Sequence, residues 1–330
     1  MNPNLFQDGF RLAPGAAPVA CVDIGGTKVA VSVVDAQGAR GRVAEPTAKE
    51  GASDALAQQI IRMVGQSCQI AGLKTSELAA VGVASCGPFV LRDGCVELAT
   101  PNICGGLAGK ARGLPNDWQT AVLEAPLRRA FAGVRVANDG IAALTAERRW
   151  GALQVNGEAL AHCAYVTWST GIGVGVCVDG VVLRGKNGNA GHAGHLFVSD
   201  NDDALCGCGN VGDVESLVAG NAIPRRFAHL GYTDSASLFT AAYAGDAAAM
   251  ALIDELCRVM GRMLYNLIAA LDLQRISLGG SLFWHHRALL LPKLQAQLLG
   301  KLSAMTDGCE LVPAGLGEQV GDFGALALVA

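Results

Sequence analysis

The stretch Val19-Ala-Cys-Val-Asp23-Ile-Gly-Gly-Thr-Lys28-Val-Ala-Val-Ser-Val-Val34-Asp-Ala-Gln-Gly38 decides how this chain is read. The apolar run 19–24 is broken by Gly25-Gly26-Thr27-Lys28, and a second run, 29–34, ends in the polar turn 35–38. Short Val-rich runs bounded by turn residues read as strands, so the unit is strand, glycine turn, strand, turn. Two adjacent glycines let backbone amides face an anion with no side chain in the way, and the Thr27 hydroxyl adds a donor. Asp23, at the strand end, is placed to hold Mg²⁺ through water. The turn is not a P-loop, because it lacks the G-x-x-x-x-G-K-[ST] spacing.

The same pattern returns half a chain later. A strand at 164–168 runs into Ser169-Thr170-Gly171-Ile172-Gly173, a second strand follows at 174–178, and Asp179-Gly180 is its turn. This echo predicts two related lobes, each opening with a hairpin whose glycine turn faces the other. Two phosphate-type turns facing one another suit the tail of a nucleoside triphosphate.

Between the hairpins, helical spacing of Leu56, Ile60, Met63 and Val64 predicts a helix over 53–72. A strand at 78–84 ends in Ser85-Cys86-Gly87-Pro88, and one at 134–137 leads into Asn138-Asp139 and a helix at 142–150. Helices are expected at 214–219, 235–244, 247–271, 285–299 and 322–329, with strands at 275–278 and 309–312. Alternating helices and apolar strands predict an α/β architecture with buried sheets.

At 330 residues the chain is long enough for two domains. With 51% hydrophobic and 16% charged residues and a mean hydropathy of +0.33, disorder is excluded. Lys and Arg number 25 against 29 Asp and Glu, a net charge of -4, which leaves no basic excess for a nucleic-acid partner. No window approaches the ~18 apolar residues of a membrane span, and the start lacks the features of a secretory signal. Eleven cysteines scattered through apolar segments fit a reduced, cytoplasmic chain.

Two further groups carry chemistry. Asn138-Asp139 sits where a carboxylate can take the proton of a hydroxyl attacking a phosphate, although on spacing alone a helix N-cap is the stronger reading. Gly191-His192-Ala-Gly-His195 and Cys206-Gly-Cys208 offer borderline and soft ligands for zinc, with Asp213 or a water as the fourth. Cys-x-Cys is tighter than the usual finger spacing, and two reduced thiols in a loop are the alternative. His285-His286 and the Arg148-Arg149 and Arg225-Arg226 pairs read as solvent-facing, since adjacent side chains on a helix diverge. Trp168 and Trp284 read as core or wall.

As an ordered set these motifs resemble the ROK family of sugar kinases and repressors, within the actin-like ATPase superfamily. The resemblance spans about 19–330 and is carried by Asp23–Lys28, Ala84–Pro88, Pro101-Asn102, Asn138-Asp139, Thr170–Gly173, Arg184–Gly191, Gly194-His195, Cys206–Gly212, Glu215–Ile223 and Gly279-Gly280. It implies a two-lobed actin-like ATPase (ribonuclease H-like) fold with a cleft between the lobes. The expected division is an irregular extension at 1–18, an N-terminal lobe of 19–137 plus 313–330, and a C-terminal lobe of 138–312 with a zinc-type loop at 195–213.

The resemblance further implies an enzyme that uses ATP and Mg²⁺ to phosphorylate a hexose or N-acetylhexosamine hydroxyl, usually the 6-OH. N-acetylmannosamine and glucose are the first candidates. Asp139 becomes the base. Gly87, Asn102, Asn138, Asp139, His192, His195 and Glu215 bind sugar. Asp23, Gly25, Gly26, Thr27, Lys28, Thr170, Gly171 and Gly173 serve the phosphates, and Gly279 and Gly280 approach the adenosine. His195, Cys206, Cys208 and Asp213 hold Zn²⁺. A homodimer is implied. Two positions depart from the family pattern: His192 stands where a Glu is usual, and Asp213 where a third Cys is usual. A non-catalytic sugar-binding protein and a repressor are the other readings, the latter disfavoured by the short segment before the first strand.

Overall fold

The computed structural model describes residues 10–108, 113–200 and 204–330. Of the expected N-terminal extension, 1–9 lie outside the described residues. The strands that frame the site are β1 (Val19–Ile24), β2 (Lys28–Asp35), β3 (Gly38–Pro46), β4 (Ala80–Ser85), β5 (Val134–Asn138), β6 (Cys163–Trp168), β7 (Ile172–Val178), β8 (Val181–Val182), β9 (Arg275–Gly279) and β10 (Glu310–Pro313). The helices that matter are α1 (Ala55–Ala71), α2 (Asp139–Trp150), α3 (Val214–Val218), α4 (Ala247–Leu271), α5 (Ser281–Leu298) and α6 (Val320–Ala327).

The chain forms two compact units: 1–146 with 184–190 and 319–330, and 147–183 with 191–318. Asn138 and Asp139, and the segment 184–190, therefore group with the first unit. Asn189 explains the second placement, because its amide pairs with both the N–H and the C=O of Phe89, at 2.7 Å each.

The first unit holds a five-stranded sheet in the order β3-β2-β1-β4-β5. The β1–β2 hairpin is antiparallel, and β4 runs parallel to β1 with Val19 opposite Ala80. Parallel pairing continues into β5, where Ser85 faces Asn138. The core gathers Val22, Ile24 and Val31 with Leu56, Ile60 and Met63 of α1. Gly82 is needed for helix packing: a Cβ there would lie 2.1 Å from the Ala325 carbonyl of α6. Phe10 also packs on α6, edge-on to Phe323.

The second unit repeats this order as β8-β7-β6-β9-β10. The β6–β7 hairpin is antiparallel, and β9 lies parallel to β6 with Thr167 facing Gly279. Helix α4 supplies Ile253, Leu256, Met260, Met263, Leu264 and Leu267 to the core, the period of a buried helical face. Trp168 is core, its indole N–H donating to the Val218 carbonyl at 2.8 Å.

Some elements differ from the sequence reading. Helix α2 begins three residues early, because the Asn138 side chain accepts the Gly140 amide at 3.0 Å and lets the helix start at Asp139. Helix α5 begins at Ser281, and its backbone departs from helical angles at His286 (φ -112°, ψ 15°). Strand β3 and a separate sheet of Phe89–Arg92, Cys95–Leu98 and Ala121–Val122 were not expected. Arg226 is not a solvent-facing charge: it donates to the Leu217 carbonyl and pairs with Glu255 at 2.7 Å.

Candidate active site and metal loop

In the first unit the parallel strands deliver their C-terminal ends to one place. Asp23 is the penultimate residue of β1, and Asn138 closes β5. Cys86, just past β4, donates its amide to the Ile24 carbonyl at 3.0 Å. Asn138 is buried, with Nδ2 3.5 Å from the Ser85 carbonyl. Asp139 is half-buried at the start of α2, and its own Oδ1 accepts the Gly140 amide at 2.8 Å. Asn138 thus takes a capping bond at the start of α2, and Asp139 adds a bond to the same amide.

The acids at these strand ends act on one another electrostatically. Burial, followed by the charges of Asp322 and Asp139, raises Asp23 from the ordinary 3.8 to about 6, against the opposing effect of Arg42 and Lys28. The Cys86 thiol is pushed up to about 12, by burial first and then by Asp139 and Asp23. Asp322, in the first turn of α6, pairs with Arg42 at 2.6 Å. Its role escaped the sequence reading, although an acid inside the apolar, glycine-spaced run Val320-Gly-Asp-Phe-Gly324 is the signal that could have found it.

The first glycine turn is clamped from outside by Thr47. Its hydroxyl donates to the Gly25 carbonyl at 2.8 Å, and its amide donates to the Thr27 carbonyl at 3.1 Å. A Cβ on Gly26 would come within 3.0 Å of the Asn102 side chain, so Asn102 lies directly over the turn. Thr27 and Lys28 are exposed. Gly87 precedes Pro88 through a cis peptide beside Cys86.

In the second unit, the turn Thr170–Gly173 is tied to α3. Glu215 Oε2 accepts the Ile172 amide at 3.0 Å, and a Cβ on Gly171 would approach that oxygen to 2.9 Å. Gly280, at φ +85°, has no room for a Cβ, which would meet Thr167 Oγ1 and the Trp168 carbonyl at 2.5 Å each. The second glycine turn and the Gly279-Gly280 corner are therefore neighbours, joined by the Ser169 and Ser281 hydroxyls at 2.9 Å.

The four expected metal ligands converge. The donor atoms of His195, Cys206, Cys208 and Asp213 all lie within 4.8 Å of one another. His195 Nδ1 is 3.2 Å from Asp213 Oδ2 and 3.7 Å from Cys206 Sγ, and Cys208 Sγ is 3.5 Å from the same Asp213 oxygen. A tetrahedron with bonds of ~2.0–2.3 Å has edges of roughly 3.3–3.8 Å, so the spacing and the N/S/S/O donor set fit zinc. Asp213 divides its oxygens: Oδ2 faces the cluster, while Oδ1 accepts the Ser216 amide at 2.7 Å and caps α3. Burial pulls Asp213 upward, but the bonds from His195 and Ser216 outweigh it and bring it to about 2. The bond to Asp213 raises His195 above an ordinary imidazole, with burial opposing and the charge of Glu215 adding. The His192 ring stacks beside His195, centroids 6.1 Å apart.

The model of the ROK family matches residues 19–330. A glucokinase of Aeropyrum pernix is 30% identical, with 94% of this chain and 96% of that protein covered. An N-acetylmannosamine kinase of Haemophilus influenzae is 28% identical, with 92% of each covered. The crystal structure of a ROK hexokinase from Thermus thermophilus superposes with a TM-score of 0.71 at 31% identity, covering 95% of this chain and 97% of that one. Two α/β units, each opening on a hairpin with a glycine turn, define the actin-like ATPase class. Within that class, this chain belongs to the ROK family.

Proposed function

We propose that this chain, a sugar kinase by class, transfers the terminal phosphoryl group of ATP to a hydroxyl, most simply the 6-OH, of a hexose or N-acetylhexosamine. Glucose and N-acetylmannosamine are the acceptors named for its relatives. The observation that carries the reading is the grouping of Asp139 with Asp23 at the ends of parallel strands, beside the open turn Gly25–Lys28. Phosphoryl transfer needs little covalent help from a protein: it needs phosphates held in line, charge neutralised and a base at the attacking oxygen.

Asp139 takes the proton of the sugar hydroxyl as the phosphorus–oxygen bond forms. The Asn138 bond to the Gly140 amide fixes the turn from which Asp139 projects. Gly87, Asn102, His192, His195 and Glu215 supply sugar contacts. The Gly25–Thr27 and Thr170–Gly173 turns offer amides and hydroxyls to phosphate oxygens, with Lys28 as a nearby cation and Gly279 and Gly280 beside the nucleoside. Asp23 would hold Mg²⁺ through water, which supplies the charge that neutralises the β- and γ-phosphates. We assign His195, Cys206, Cys208 and Asp213 to a structural Zn²⁺, whose four protein ligands leave no open position for chemistry. The same reading carries a cytoplasmic homodimer with no nucleic-acid or membrane partner. Among the described residues, no helix is long and apolar enough to cross a membrane.

The test is ADP release with Mg-ATP over N-acetylmannosamine, N-acetylglucosamine, glucose, mannose, fructose and allose. Turnover on one or two of these is expected. Silence across the panel with folded, metal-loaded protein would overturn the kinase reading in favour of sugar binding without chemistry.

A further inference from the structure

The second unit contains a cavity of about 340 Å³ that begins at Ser169 and Thr170 of the glycine turn and extends past Ser281 to His285 and His286. Adjacent residues of a regular helix point about 100° apart and do not share one cavity. Here they do, because the backbone of α5 leaves helical angles at His286.

The His286 ring is held on two sides. It lies flat on Phe239, with centroids 3.7 Å apart and planes parallel, and its Nδ1 is 3.1 Å from the Tyr243 hydroxyl. Burial, with His285 as the neighbouring titratable group, holds it below an ordinary imidazole, so the ring is neutral near pH 7. A neutral imidazole has one donor and one acceptor nitrogen. Tyr243 engages Nδ1, which leaves Nε2 as the nitrogen for a ligand. His285 is exposed at the rim and pairs with Glu318 at 3.3 Å. The cavity falls in the size range of small-ligand pockets and joins a phosphate-type turn to a flat, fixed heteroaromatic ring.

We infer that His286 fixes the base or ribose of the phosphate donor in this cavity, making it a residue of nucleotide selectivity. The inference rests on the kinase reading for the identity of the donor as a nucleoside triphosphate. Phe239 and Tyr243 act through His286 by setting its plane and its hydrogen-bonding nitrogen.

The test is calorimetric titration of MgADP into the unmodified chain, His286→Ala, His286→Gln and Tyr243→Phe, each checked by circular dichroism and a melt. His286→Ala is expected to weaken MgADP at least tenfold, His286→Gln to recover part of the loss, and Tyr243→Phe to fall between. In turnover, the KM for ATP should rise in parallel while the KM for the sugar stays within twofold. MgADP affinity within twofold of the unmodified chain in both folded His286 variants would overturn the inference, as would no binding of MgADP to the unmodified chain. Sugar turnover is read separately. Turnover indifferent to His286 sinks this inference alone, whereas His286-dependent ADP binding without turnover on any sugar sinks the kinase reading alone.

Discussion

Ser277 of β9 donates its hydroxyl to Glu147 of α2 at 2.9 Å, inside the second unit, where Glu147 has no exposure to solvent. The same carboxylate accepts the amides of Ala152, Gly315 and Leu316 at 2.9, 3.0 and 2.8 Å. One side chain thus pins the end of α2, strand β9 and the turn after β10. Glu147→Gln would set an amide NH₂ against backbone donors. A loss of roughly 2–4 kcal/mol is expected. Urea unfolding measures it, and a change under 0.5 kcal/mol would show that the network is not needed.

Asp139→Asn keeps the size of the side chain and removes its basicity. The general-base assignment predicts a fall in kcat of about 10²–10⁴-fold, with sugar-induced thermal stabilisation retained. ADP release and a melt with and without sugar decide it. Near-normal kcat would move the proton elsewhere.

Asp23 offers a prediction on pH. Its carboxyl is raised to about 6 in the fold from an ordinary 3.8. Between those values the folded chain keeps a proton that the unfolded chain has lost, so stability falls as pH rises through that window and stays lower above it. Asp23→Asn should therefore stabilise the nucleotide-free protein at pH 7–8, by on the order of 1–2 kcal/mol, while abolishing turnover. Equal stability of both proteins at pH 4 and at pH 8 would argue against the shift.

Metal analysis by mass spectrometry should find one zinc per chain, and removing it with a strong chelator should lower the melting temperature. Asp213→Cys replaces a hard donor with a soft one, so it should hold zinc more tightly in competition with a chromophoric chelator. It also loses the cap on α3, so the metal-free variant should melt lower, at a cost of ~1 kcal/mol. Zinc affinity unchanged in Asp213→Cys would place the metal, if bound, on other ligands.

The hairpins were legible in the sequence because apolar runs are cut by Gly25-Gly26 and by Ser169-Thr170-Gly171, where turns are favoured. The repeat predicted two units that each open on a hairpin, and the strand order they share emerges only from the long-range pairing. His195, Cys206 and Cys208 were legible as donors from residue type, with Asp213 or a water open as the fourth, and the convergence of all four is a property of the fold. Strand β3 was hidden because Gly38-Ala-Arg-Gly-Arg-Val-Ala-Glu-Pro46 has one β-branched residue, and only pairing with β2 makes it a strand. Glu147 was hidden inside Ala146-Glu-Arg-Arg-Trp150, which reads as a solvated face; its partners come from 277, 315 and 316, and no local pattern announces them. His286 was misjudged for a related reason, because a helical break is a tertiary outcome that leaves no mark on its neighbours in sequence.

The divided loyalty of Asp213 bears on how its departure from a third cysteine is to be understood. A thiolate has a single atom to give, whereas this carboxylate spends one oxygen on the ligand cluster and the other on the first turn of the helix that presents Glu215. The carboxylate thereby ties His195 and Cys208 to the helix that carries Glu215. Displacing Asp213 would therefore disturb two places at once, the ligand cluster and the first turn of the helix that carries Glu215.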